Sequence, residues 1–426
     1  MMRRGLVGWL GASLLACACA DLSGLRDYSI GSNDPVSPEA AVDGATDAPA
    51  SDGAAPDAAT CSPSGCDSRD ACAACDAAGE GDASARDASC ALSFGYAPSN
   101  FSPDGYIAPD DATLIDCNTT YDSTAHAFTD WCPGRTAPEI IADVTQAGGP
   151  NIDVLAFGGL TVNAGVTLAL TGKNAIVLAV YGDANVHGTI DADGEPEVSG
   201  NSAAGTSGPG GAYACSANAG GNAGTATSNS GGGGGGGSTA GGGGANDCPV
   251  VAVGGAAGAA RPNVSLAPLY GGCPGGSSGP GGCTTGGGGA GGAVQLSAAG
   301  VLSVDGTITA NGGAGGTSTC TEVIVGVTYY GGGGGGGAGG AILLEGSSVA
   351  VSGTVSVQGG KGGASGGGGA AYPSSTGMAG GPASCTGSGV AGGGGGGGYG
   401  YTKTNTGALP VRHCSTRTCD DAGCAD

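Results

Sequence analysis

The sequence predicts an all-β fold: a parallel β-helix-like solenoid with long Gly-rich insertions, preceded by a disordered tether. Three observations lead there. A motif of alternating apolar residues recurs three times, with gaps of very different length between the copies. Glycine, 98 of 426 residues, collects in long runs beside those copies. Aromatic residues make up only 4%, so any core must be narrow and built from Val, Ile, Leu and Ala.

The first element, 1–20, reads as a lipoprotein signal peptide. MMRRGLVGWLGASLLACACAD has Arg3-Arg4, an apolar stretch from Gly5 to Ala16, then Cys17, the layout of a secretory leader. Its end, Leu14-Leu15-Ala16-Cys17, resembles a bacterial lipobox. The resemblance implies cleavage before Cys17 and lipid on its sulfur and new N-terminus. Ala18 rather than Asp follows, which in lipoproteins of two-membrane bacteria implies sorting to the outer membrane. Each buried CH₂ of such chains is worth ~0.8 kcal/mol, enough together for stable anchoring. The alternative is an ordinary leader cut near Ala18 or Ala20. Arg3-Arg4 also has a faint twin-arginine look.

Residues 21–91 are rich in Ala, Asp, Pro and Ser, with few bulky apolar side chains. Such a segment cannot bury enough surface to offset its ordering entropy, and it reads as an acidic, disordered tether. Within it Cys61, Cys66, Cys72 and Cys75 precede Cys90. A zinc site is one reading; outside the cytoplasm a disulfide knot is the preferred one. Residues 92–148 hold seven of the chain's 18 aromatics in a dense group and read as a small Cys-bridged cap. Cys117 and Cys132 flank residues 118–131, and a bridge there would give roughly 3 kcal/mol in the chain-entropy model. His126 has no second ligand at metal spacing and reads as structural.

From 149 to 400 the chain is repetitive. AIVLAVYGDANVHGTIDADG begins at Ala175, and AVQLSAAGVLSVDGTITANG follows 118 residues on, at Ala293. AILLEGSSVAVSGTVSVQG begins at Ala341 and is one residue shorter. Ile176, Leu178, Val180, Val186, Ile190 and Ala192 alternate, which means strands with one buried face. Each Gly-Thr-[Ile/Val] step marks a bend where the missing Cβ lets the chain turn. Repeats of this length suit one coil of a β-helix, and a solenoid tolerates the excursions 195–292 and 313–340. A sandwich or barrel would need short, even joins.

The lipobox, GGPNIDVLAFGGLTVNAGVTL (148–168), the Gly-Thr-Ile steps and the GGGGGGG runs together resemble glycine-rich, PGRS-like surface lipoproteins of myxobacteria and related bacteria. The resemblance covers roughly 90–400. It implies a cell-surface setting and no assigned catalysis.

Gly231–Gly237, Gly331–Gly337 and Gly392–Gly398 are runs of equal length. They are either flexible linker or polyglycine-II packing, extended threefold helices close enough to exchange backbone contacts. Cysteines could pin the insertions: two bridges among Cys215, Cys248, Cys273 and Cys283, and one between Cys320 and Cys385. The tail, 401–426, carries Cys414, Cys419 and Cys424 and reads as a disulfide-tied end.

The net charge of −23, with only 12 Lys and Arg, argues against nucleic acid, which needs clustered cations. Asp191, Asp193, Glu195 and Glu197 alternate in GTIDADGEPE and are Ca²⁺ candidates; the plainer reading is a polar turn leaving the coil. No other cofactor is expected. No Ser-His-Asp, Cys-His or phosphate-loop pattern occurs. The expectation is a surface-anchored structural or adhesive protein of the outer membrane, non-catalytic, meeting extracellular polysaccharide or neighbouring surface proteins. The alternative is an extracellular carbohydrate-active β-helix enzyme, a polysaccharide lyase or hydrolase, with its site in 195–292.

Overall fold

The computed structural model describes residues 91–92, 94–103, 106, 109, 111–197, 204–216, 218–222, 230–246, 253–279, 284–324, 327–366, 394, 396–406 and 412–413. The lipobox with Cys17, the tether cysteines, Cys248, Cys283, Cys385 and the tail cysteines lie outside the described residues. In chain order the strands are β1 (Ala91–Leu92), β2 (Ala112–Ile115), β3 (Thr119–Asp122), β4 (Ala127–Thr129), β5 (Glu139–Val144), β6 (Ile152–Phe157), β7 (Gly159–Val162), β8 (Thr167–Thr171), β9 (Ala175–Val180) and β10 (Ala184–Val186). They continue with β11 (Thr189–Asp191), β12 (Ala293–Val304), β13 (Thr307–Thr309), β14 (Thr321–Ile324), β15 (Val327–Tyr330), β16 (Ala341–Val351), β17 (Thr354–Ser356), β18 (Tyr401–Thr406) and β19 (Arg412–His413).

The expected parallel β-helix-like solenoid does not form. The strands build mixed sheets instead. One has nine strands, ordered β2-β7-β10-β12-β9-β6-β5, with β16 beside β12 and β18 beside β16. The other has six, ordered β17-β13-β11-β8-β3-β4. β5 pairs antiparallel with β6 and β3 antiparallel with β4. β14–β15 and β1–β19 are further antiparallel pairs. The reason lies largely in β12. At 12 residues it is long enough to pair with β9 along its first half and β10 along its second. Two rows that separate faces of a coil would keep apart therefore merge into one broad sheet.

Within these sheets the three repeats do lie side by side, parallel and in register. Ile176 is opposite Val294, and Val294 opposite Ile342. Ile190, Ile308 and Val355 line up in the other sheet. The shorter third repeat is accommodated by a bulge between Ala298 and Val301, after which Leu302 meets Val349. At the bends, Gly188, Gly306 and Gly353 stack directly: Thr307 donates its amide to the Gly188 carbonyl, and Thr354 to that of Gly306. A Cβ on Gly306 would overlap the carbonyl oxygen of Gly188, so the close approach requires glycine.

The core between the two sheets holds Phe157, Leu160, Leu168, Leu178, Val186 and Ile308. Residues 92–148 feed it, with Ile115 and Tyr121 fully buried there. The expectation of one buried face is corrected for β6 and β9, which are buried at every position. Their second faces, Val154, Val177 and Ala179 among them, lie under Phe94, Phe101, Leu266 and Leu269. A near-continuous apolar run is what two-sided burial demands.

The glycine runs form a second body of structure. Gly334, Gly337 and Gly340 donate their amides to Gly316, Gly313 and Ala310 on one neighbouring segment. Gly335 and Ala338 donate to Gly276 and Cys273 on a second, and Gly339 donates to Gly398 on a third. Carbonyls complete the ring. Gly334 and Gly337 accept from Gly363 and Gly360, Gly335 and Ala338 from Gly288 and Gly291, Gly333 and Gly336 from Gly232 and Gly235. The direction of bonding repeats every three residues, the period of the polyproline-II helix. One glycine strand is thereby bonded to six others. A Cβ on Gly333, Gly334, Gly335 or Gly337 would overlap a neighbouring carbonyl oxygen, so only a chain without side chains packs this closely.

Candidate functional site

The acidic positions of the first repeat do not converge. Asp191 accepts from the Asp193 amide at 2.9 Å, capping its own turn. Asp193 accepts the Asn311 amide at 2.5 Å and its side-chain amide at 3.2 Å. Burial raises the Asp193 carboxyl above the usual carboxylate range, against the pull of those bonds. Glu195 is exposed, while Glu197 is buried and accepts from the Gly286 amide at 3.5 Å. Among the described residues no three His, Cys, Asp or Glu side chains gather as a metal site. Asp193, through Asn311, and Asp191, through the Thr309 hydroxyl, serve as ties between repeats. His187 is tied likewise, its Nδ1 2.7 Å from Asp305.

Among the described residues Cys117 is bonded to Cys132 and Cys215 to Cys273. Cys320 is disulfide-bonded as well. Arg261 lies over the Tyr270 ring, 4.2 Å from its centroid, and points Nη1 at both sulfurs of the second bridge, 3.5 Å from each.

Two polar clusters were not anticipated. The first centres on Asp153 of β6, which is fully buried. Its Oδ2 accepts from the Tyr121 hydroxyl at 2.8 Å and faces His126 Nδ1 at 2.9 Å. Its Oδ1 accepts from the Asp143 amide at 3.0 Å and from Asn174 Nδ2 at 2.8 Å. His126 Nε2 faces Asp143 Oδ2 at 3.2 Å. A carboxylate only accepts, so a ring nitrogen that carries hydrogen is the donor in such a contact. His126 and Asp143 both have left-handed backbones, φ 52° and 55°, uncommon for residues with side chains. Burial, then the hydrogen bond to Asp153 and its charge, pushes the Tyr121 phenol up. Bonds from Asn174 and Asn151 hold the Asp143 carboxyl below its usual range.

The second centres on Glu345 of β16, 1% exposed. Five donors reach it: the Ser99 amide and hydroxyl, Gln295 Nε2, Ser297 Oγ and Asn405 Nδ2, at 2.5–3.2 Å. Ser297, Glu345 and Asn405 face each other across neighbouring strands. Beside this cluster Asn100 donates to Gln295 Oε1 and to the Leu266 carbonyl, both at 2.8 Å. The signal in the sequence was slight: one polar residue inside an apolar strand, in NIDVLAF, AVQL and AILLE.

An open groove of about 560 Å³ lies where residues 99–102 and Tyr106, the end of β5 and the 267–268 turn meet. Phe101 and Tyr106 stack along it, centroids 6.5 Å apart. Ser99, Asn100, Thr145 and Pro268 also line it. Gln146 holds the turn in place by accepting from the Leu269 amide and donating to the Leu269 and Pro150 carbonyls at 2.6–2.8 Å. Among the described residues no helix is long and apolar enough to cross a membrane.

Compared with protein-family models, curated proteins and solved structures, the chain matches none.

Proposed function

We propose that the chain is a surface-anchored structural or adhesive protein without catalysis. In this reading lipid on Cys17 holds it in the outer membrane, exposed at the cell surface, and its contacts are extracellular polysaccharide or neighbouring surface proteins. It would stand with the glycine-rich, PGRS-like lipoproteins that the sequence resembles.

The observation that carries the reading is the glycine bundle. Packing a strand against six others through backbone alone makes a rigid body with almost no chemistry of its own. That suits a spacer or a contact surface better than a reaction centre. A glycoside hydrolase of the usual kind needs two carboxylates about 5–9.5 Å apart across a groove. The two best-placed carboxylates, Asp143 and Asp153, are bridged by His126, and Asp153 is sealed from solvent with all its acceptor positions engaged.

Whole-cell labelling and proteolysis of wild type and Cys17→Ser test the proposal. Wild type should be labelled and cleaved on intact cells, and Cys17→Ser should be released from the membrane. A wild type that is soluble in the periplasm would remove the proposal.

A further inference from the structure

We propose that the groove beside Tyr106, Thr145 and Pro268 binds a stretch of neutral polysaccharide; this deepens the adhesive reading and rests on it. The groove has the volume of an ordinary ligand site, about 560 Å³, within the usual range of roughly 300–1,000 Å³. It is open to solvent rather than enclosed, which suits part of a polymer better than a sequestered small molecule.

Its chemistry selects the ligand class. The half-exposed ring of Tyr106, backed by the buried ring of Phe101, offers an apolar face. Hydroxyls and amides supply the remaining polar atoms, and among the described residues none in the lining is charged. A sugar ring presents that same alternation of C–H face and hydroxyl edge. The charge of the surroundings excludes acidic chains. Ser99, on the groove wall, contacts the buried carboxylate of Glu345, and the protein carries a net −23. A polyuronate would meet net repulsion, offset only in part by Lys403, whose Nζ donates to the Ser265 carbonyl beside the turn.

The wall is also preorganised. Asn100 is fixed by Leu266 and Gln295, and Gln146 by Leu269 and Pro150. Binding therefore orders little protein, which keeps the entropic cost low. Thr145 and Ser102 remain exposed on the rim, and neither hydroxyl has a partner among the described residues.

The test uses the full chain, extracted in detergent and immobilised. The probes are cellohexaose, maltohexaose, laminarihexaose and chitohexaose, with hexagalacturonate as the acidic counterpart. At least one neutral hexasaccharide should bind with a Kd on the order of 1 mM or tighter. Tyr106→Ala should weaken it about tenfold or more, and Thr145→Trp, which fills the groove from an exposed position, should abolish it with an unchanged melting curve. The proposal is overturned if no neutral probe binds, if binding ignores both variants, or if hexagalacturonate binds better. Cell attachment is measured separately. A strain lacking the chain that attaches normally would remove the adhesive reading and leave the groove measurement standing.

Discussion

Gly335 lies with its Cα against the carbonyl oxygen of Gly233, about a hundred residues earlier in the chain, with no room for a methyl group between them. Gly335→Ala must therefore push two packed strands apart. Overpacking of this kind costs about 1–3 kcal/mol or more. Gly243 is the control, since its nearest neighbour in that direction is the Gly255 oxygen at 3.7 Å. Gly243→Ala should be neutral or slightly stabilising, by up to about 1 kcal/mol, through a less flexible unfolded chain. Denaturant unfolding of the two variants measures the contrast. Equal effects would mean that the glycine strands are not in close contact.

Asp153 holds Tyr121, His126 and Asn174 in one cluster. Asp153→Ala leaves those groups buried without their acceptor and should cost about 3–5 kcal/mol. Tyr121→Phe removes one donor of several and should cost about 1–2 kcal/mol. Unfolding free energies of both variants test the ranking.

Asp143 gives that cluster a pH dependence. Its carboxyl titrates lower in the folded chain than its ordinary 3.8, chiefly because Asn174 and Asn151 donate to it. A depressed folded value means stability that is present above the ordinary value and lost as pH falls through the lowered one. Asp143→Asn should therefore be the less stable protein at about pH 6, and its deficit should shrink by about pH 2–3. Denaturation midpoints at the two pH values decide it; a deficit that grows on acidification would contradict the assignment.

Glu345 joins the 99–100 segment to the strands below. Glu345→Ala should cost at least about 3 kcal/mol, because Gln295, Ser297 and Asn405 lose a shared charged acceptor in a buried setting. Ser99→Ala removes only one hydroxyl and should instead loosen the segment locally. Amide exchange of residues 94–103 reads that difference: faster in Ser99→Ala with the sheet amides unchanged.

Cys215 and Cys273 close a loop with a sequence separation of 58. The chain-entropy model gives about 4 kcal/mol for a loop of that length. Mutating both to Ser should lower the unfolding free energy by about that amount. It should also free the Arg261 side chain, seen as loss of its stacking on Tyr270 in the aromatic circular dichroism.

The alignment of the repeats was legible because period-two apolar residues and a fixed spacing both survive folding. Ile176, Val294 and Ile342 stand opposite one another as the spacing implied, and the one-residue deficit of the third repeat became the bulge beside Ala299 and Gly300. The sheet architecture was not legible. Nothing in AVQLSAAGVLSV says that one strand will run unbroken across two rows. Two-sided burial was overlooked because Ala175, Val177 and Ala179 looked like spacers between the alternating positions, although their apolar character carried the information. The recurring glycine runs carried polyglycine-II packing as one of two readings, but not which strands are partners, since those lie far apart in sequence and the contacts are made by backbone alone. Asp153 and Glu345 were hidden for the opposite reason: each is a single polar residue whose donors come from segments that only the fold brings near.

The six-neighbour arrangement around Gly331–Gly340 also has a mechanical consequence. A β-sheet resists load in its own plane and can be peeled strand by strand from an edge. A strand bonded in six lateral directions has no edge from which to start. Tension along it is shared by every neighbour at once, so the bundle should yield by simultaneous shear of many bonds rather than by unzipping.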